Sequence, residues 1–167
     1  MKLAKNKQLE KFSNNYLNYL TKLFRELDLK KIAELGDIIK KTREKNNNIF
    51  VIGNGGGAVT ATAMSNDLGF DILKKTKKKS FKIISLTDNN AISTAISNDI
   101  GFENIFISQL KSFYVKNDIL IVLSASGNSK NLITAAKWVK SKKGKVFGIL
   151  GFDGGKLLGI CDKVIHI

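Results

Sequence analysis

Proline is absent from the 167 residues, and cysteine, histidine and tryptophan occur once each. The lone Cys161 has no partner for an internal disulfide, which suits a cytoplasmic protein. No apolar run approaches the ~20 residues that a membrane-spanning helix needs, so no membrane partner is expected. The opening Met1-Lys2-Leu3-Ala4-Lys5-Asn6-Lys7 has no apolar stretch behind it and does not read as a secretory signal. Acidic residues are also scarce: 14 Asp and Glu stand against 28 Lys and Arg, a formal charge of +14. An excess of that size raises nucleic acid as a partner. The lysines, however, are spread along the chain. The one dense run, Lys74, Lys75, Lys77, Lys78 and Lys79, lacks interleaved aromatics, and no nucleic-acid motif accompanies it. Abundant Asn and Ile beside the missing proline point to a compositional bias. The charge is expected to attract small anions rather than nucleic acid.

What remains is ordinary for one globular domain, with 43% hydrophobic and 25% charged residues. Leu9, Phe12, Tyr16, Leu20, Leu23 and Leu27 recur at spacings of three and four, one face of a long amphipathic helix. A second helix carries Ile32, Leu35, Ile38 and Ile39 and ends at Asn46-Asn47-Asn48. Residues 1–46 thus hold two helices, and the aromatics in the first stripe suggest a subunit interface. Beyond them, apolar runs at 49–52, 81–86, 119–123, 146–150 and 164–167 alternate with helix-like segments at 60–68, 91–97 continuing into 102–114, and 131–141. Strands that are apolar throughout suit a parallel sheet covered on both faces. The predicted fold is therefore a doubly wound α/β sandwich with five parallel strands over residues 47–167. Residues 74–79 are expected to form an exposed, mobile loop. No closing helix follows the last strand, and cover for that face is expected from an absent segment or another subunit.

Ligands in open α/β sheets bind beyond the carboxyl ends of the strands. Three loops lie there. The first, Gly53-Asn54-Gly55-Gly56-Gly57, bares main-chain N–H groups at the start of a helix, a ready anion site. The second reads Thr87-Asp88-Asn89-Asn90, with Asn98-Asp99 following. The third, Ser124-Ala125-Ser126-Gly127-Asn128-Ser129, sets three hydroxyls before a helix; a cap needs one, so the set points to phosphate. Gly53, Gly55 and Ala58 also match G-x-G-x-x-A, but Asp88, which closes the second strand, comes 35 residues after Gly53 rather than ~20. No G-K-[ST] follows the glycines, which excludes a P-loop.

Taken in order, Gly53-Asn54-Gly55-Gly56, Ser97-Asn98-Asp99-Ile100-Gly101-Phe102, residues 124–129 and Asp153-Gly154-Gly155-Lys156 resemble the sugar isomerase (SIS) family of phosphosugar-binding domains, and within it the phosphoheptose isomerase group. The resemblance spans nearly the whole chain, a single SIS domain over 1–167. It implies a flavodoxin-like three-layer sandwich and a homotetramer or homodimer with a pocket completed by a neighbouring subunit. It further implies that Asn54, Gly55, Gly56, Asn98 and Asp99 line a phosphorylated sugar, while Ser124, Ala125, Ser126 and Ser129 hold its phosphate.

The group places a histidine and, four residues on, a glutamate on the helix after the glycine turn, with a glutamine and a histidine on a C-terminal helix. Here the first two places hold Ala63 and Asp67, and the C-terminal helix is absent. In some members these side chains bind zinc, which needs three or four protein ligands; the chain retains one, so no metal or other cofactor is expected. His166, in the last strand, reads as structural. Two functions follow: an aldose–ketose isomerase of sedoheptulose 7-phosphate with Asp67 as base, or a non-catalytic sugar-phosphate-binding or adaptor protein of the kind that binds the replication initiator DnaA.

Overall fold

The computed structural model describes residues 2–167, with side chains from residue 6 onward. Helices α1 (Lys2–Glu26) and α2 (Leu29–Glu44) come first, separated by a cap in which the Asp28 carboxylate accepts from the N–H groups of Lys30 and Lys31. The strands are β1 (Asn48–Gly53), β2 (Lys82–Ser85), β3 (Ile119–Ser124), β4 (Lys145–Leu150) and β5 (Lys163–His166). All pair in parallel, in the order β2-β1-β3-β4-β5. The five-stranded, flavodoxin-like sheet is thus the one expected from the apolar runs.

Alternation along the strands divides the core into two layers. Ile49, Val51, Ile83, Ile119, Ile121, Leu123 and Phe147 face one way, against Leu35, Ile38 and Ile39 of α2 and Ala61, Met64 and Leu68 of the helix after β1. Phe50, Ile52, Leu120, Val122, Val146 and Leu150 face the other way. They meet Ile105, Phe106 and Leu110 of the helix before β3 and Leu132, Ala135, Ala136 and Val139 of the helix after it.

The helix after β1, α3 (Gly56–Asn66), begins earlier than its apolar pattern and runs through a π-helical stretch, Asp67–Asp71, into α4 (Ile72–Thr76). Two of the lysines expected in a loop, Lys74 and Lys75, are therefore helical; the helix stops at Lys77, which has φ 56°. Between β2 and β3 lie α5 (Asn90–Ile100), a 3-10 turn (Phe102–Asn104) and α6 (Ile105–Phe113). After β3 comes α7 (Lys130–Ser141), and a single turn, α8 (Gly155–Leu158), precedes β5. On α1, Leu9, Phe12 and Tyr16 stay exposed, while Leu20, Leu23 and, just past the helix end, Leu27 are half-buried. Among the described residues no helix is long and apolar enough to cross a membrane.

Carboxylates pin the amino ends of the strands. Asp118, 1% exposed, accepts from the Asn48 backbone N–H at 2.8 Å, the Asn48 amide at 3.0 Å and the Val115 N–H at 3.0 Å. Asp162 accepts from the Val146 N–H at 2.8 Å and from Lys140 Nζ at 2.6 Å, with Lys145 Nζ at 3.4 Å. Next to it, burial together with the Asp162 charge pushes the Cys161 thiol up to about 11, against the lesser pull of Lys140.

Burial alone would raise the pKa of Asp162. The Lys140 and Val146 hydrogen bonds and the two lysine charges outweigh it, and the group sits below the usual carboxylate range. A depressed folded-state pKa contributes stability above the unfolded value of ~3.9, and that contribution is lost as pH falls through the folded value. Asp162→Asn should therefore cost about 1 kcal/mol at pH 7, and the gap from wild type should close below pH ~4. Urea midpoints measured at the two pH values check this.

Candidate functional site

Strand order reverses between β1 and β3: α3 leaves β1 over one face and α7 leaves β3 over the other. The crevice between their first turns is where open α/β sheets take ligands. The backbone crowds together there. A Cβ built on Gly53 would lie 2.5 Å from the Gly57 carbonyl carbon, and one on Gly57 would lie 3.0 Å from the Leu123 carbonyl oxygen, so side chains would push the turn off β3. A Cβ on Gly55 or Gly56 would meet nothing within 4 Å, and both residues are exposed. Among the described residues no partner takes up their N–H groups, whereas those of Gly57 and Ala58 close the turn onto Asn54 and Gly55.

The loop after β3 is bonded to itself and to the loop after β4. Ser124 Oγ accepts from the Gly127 N–H at 3.0 Å and Ser126 Oγ from the Asn128 N–H at 3.3 Å. The Asn128 side chain donates to the Ser126 carbonyl at 2.9 Å and accepts from the Lys156 N–H at 3.1 Å, while the Gly127 carbonyl accepts from Leu157 at 3.0 Å. Neither Ser126 nor Asn128 caps α7. The N-cap is Ser129, whose hydroxyl makes no capping bond among the described residues. Ser124 and Ser126 use their oxygens as acceptors and keep their hydrogens to donate. Three hydroxyl donors and the open start of α7 are thus held on a rigid turn.

Asn131 joins the two loops, a role that no sequence motif marks. It is 1% exposed in the first turn of α7. Its amide donates to Asn54 Oδ1 at 2.9 Å and accepts from Asn54 Nδ2 at 2.9 Å, while its oxygen also takes the Leu132 N–H. An asparagine among apolar helix positions was the only available signal.

Other candidates lie apart from this crevice. Asp88 is held by Thr62 of α3 and by Thr87, and Asn89 caps α5 by accepting from the Ile92 N–H at 3.0 Å. Asn98 and Asp99 are exposed in the last turn of α5, with the Asn98 amide donating to Asp99 Oδ1 at 2.9 Å. Ala63 and Asp67 are exposed, and the Asp67 carboxylate accepts from the Asn66 amide at 3.1 Å. Helix α3 runs antiparallel to the strands: Thr62 touches the residues just after β2, Ser65 reaches Ile83, and Leu68 accepts from Phe81 just before β2. Asp67 therefore lies toward the amino edge of the sheet, about 16 Å along the helix from the glycine turn. His166 Nε2 lies 2.6 Å from the Phe152 carbonyl, which fixes the proton on that nitrogen. Among the described residues no three His, Cys, Asp or Glu side chains gather, so the donor set does not fit zinc.

Gly127 has φ 63°, and a Cβ there would overlap the Gly154 carbonyl. Gly127→Ala should lower stability by about 3 kcal/mol, roughly 10 °C in Tm. A double-mutant cycle of Asn54→Ala and Asn131→Leu should give a coupling of about 1–2 kcal/mol in urea unfolding.

The SIS domain family model matches residues 11–151. A phosphoheptose isomerase of Cytophaga hutchinsonii is 31% identical over 160 residues, which are 96% of this chain and 81% of the relative. One from Aliarcobacter butzleri is 37% identical over 131 residues, 78% of this chain and 68% of the relative. The solved phosphoheptose isomerase of Francisella tularensis superposes with TM-score 0.85 at 25% identity, covering 96% of this chain and 85% of that one. The matched span takes in the glycine turn, both strands that flank the crevice and the serine loop, and on that ground the chain belongs to the SIS domain family.

Proposed function

We propose that the crevice between β1 and β3 binds a phosphorylated sugar, and that the chain is a phosphoheptose isomerase acting on sedoheptulose 7-phosphate. The observation that carries this reading is that Ser124, Ser126 and Ser129 keep hydroxyl hydrogens to donate on one short loop, across the strand-order switch from the unpartnered N–H groups of Gly55 and Gly56. Hydroxyl and amide donors on a rigid turn fit the oxygens of a phosphate monoester without a lysine. Asn54, Gly55 and Gly56 form the facing wall, with Ala125 between the serines. The relatives named phosphoheptose isomerase support the choice of sugar and of reaction.

Isomerisation moves a carbonyl between C1 and C2 through an enediol. A base must shift a carbon-bound proton and an acid must protonate oxygen. The crevice residues supply binding and orientation, and none of them is an acid–base group. Asp67 is the carboxylate available as base. Its position toward the opposite edge of the sheet sets it apart from its own chain's crevice, and we assign it to the crevice of a second copy in a homo-oligomer. Asn98 and Asp99 are assigned to the same shared pocket. The exposed Leu9, Phe12 and Tyr16 stripe on α1 supplies a surface on which copies can pair.

The same displacement of Asp67, together with alanine at position 63, favours a second reading, a sugar-phosphate-binding protein without turnover. Titration of sedoheptulose 7-phosphate by calorimetry and an isomerisation assay separate the two. Ser129→Ala should weaken binding roughly tenfold or more. Asp67→Asn should leave binding intact and cut turnover by about a hundredfold or more. Mixing Asp67→Asn with Ser129→Ala subunits should restore part of the activity. Saturable binding without isomerisation by the wild-type chain would establish the second reading.

A further inference from the structure

A wide concavity lies at the amino edge of the sheet, opposite the crevice. It is an open cleft of about 790 Å³ where α2, α6 and α7 end, within the size range of small-ligand sites. Six lysines line it from three distant stretches of chain: Lys41 and Lys45, Lys111 and Lys116, and Lys142 and Lys143. None of the six makes an ion pair among the described residues. A seventh, Lys145, lies 3.4 Å from Asp162. The one carboxylate in the lining, Asp118, is buried with its oxygens occupied by Asn48 and Val115.

Basic residues near helix C-termini have a structural explanation, since each terminus carries about half a negative charge. Three such ends and one carboxylate leave most of the six ammonium charges uncompensated around a single hollow. A bound polyanion would supply the missing countercharge.

The lining also suits one form of polyanion. No arginine is present, so the charges are compact, rotatable ammonium groups rather than planar forks, and several such points can follow a flexible chain of phosphates. Both aromatics are engaged. Tyr114 packs edge-on against Trp138 with ring centres 5.9 Å apart, and its hydroxyl donates to the Asp118 carbonyl. Lys142 Nζ stands 5.8 Å from the Trp138 ring centre. A nucleobase would find the stacking faces occupied, and the lysines come from three stretches of chain that meet at one cleft. We propose that this cleft binds an oligophosphate, a short chain of three or more linked phosphates, free or carried by a nucleotide. This second anion site is independent of the phosphosugar reading.

Trp138 is the chain's single tryptophan and lines this cleft, so its emission reports on binding there. The intact chain is titrated with tripolyphosphate, ATP, AMP, orthophosphate and a single-stranded oligonucleotide, with calorimetry as the second readout. Tripolyphosphate should give a saturable change that weakens as salt rises, while AMP and orthophosphate bind at least tenfold more weakly. ATP matching tripolyphosphate would identify the phosphate chain itself as the ligand, and tighter ATP binding would identify the nucleotide-borne form. A Lys116→Gln/Lys142→Gln/Lys143→Gln variant, all changes at exposed positions, should lose at least tenfold in calorimetric affinity for tripolyphosphate while its affinity for sedoheptulose 7-phosphate stays at the wild-type value. The proposal is overturned if neither readout saturates by about 1 mM tripolyphosphate, if the variant binds as wild type does, or if the oligonucleotide binds more tightly than tripolyphosphate.

Discussion

Close backbone approach at the carboxyl rim is the constraint on which the rest of this molecule depends. The turn after β1 lies against the Leu123 carbonyl, and the loop after β3 lies against the Gly154 carbonyl, at distances that admit no side chain between them. Two reciprocal amide bonds between Asn54 and Asn131 then close the gap from side to side. The three loops behave as one piece, and the donor groups on them are fixed relative to one another before any ligand arrives. Preorganisation of this kind reduces the ordering cost of binding a small anion.

Polarity runs through the architecture. In a parallel sheet with helical crossovers, every helix N-terminus that follows a strand points to one edge, and the C-termini point to the other. Bare N–H groups and hydroxyls collect at the carboxyl edge, where a phosphate can be held without a cation. The lysines of α2, α6 and α7 collect at the amino edge. Two regions of different donor chemistry therefore arise from one topology, separated by the length of the strands.

The parts of this picture that were legible in the sequence are local ones. Five apolar runs gave five strands because buried parallel strands need no partner to be recognised. The glycine turn and the serine loop stood out because each carries its chemistry within six residues. What the sequence concealed was tertiary. Asn131 and Asp118 are single polar residues whose meaning depends on partners 77 and 70 positions away. The six cleft lysines look dispersed because three helices bring them together from positions 41 to 143. The helical continuation through Asp67–Asp71 into α4 was masked by Gly69 and by the lysine run behind it, which together resemble a loop. The place of Asp67 along α3 is likewise a matter of helix direction, which no spacing rule supplies.

Cys161 has a practical consequence. Its sulfur fills the space above Gly148, where a Cβ would come within 3.1 Å, and its thiol stays protonated far above neutrality. A thiol in that state is a poor nucleophile and resists alkylation and air oxidation. A cysteine introduced on the outer surface would accordingly be the sole fast-reacting sulfur in the chain. The native sequence therefore already suits single-site attachment of spectroscopic probes, without removal of its own thiol.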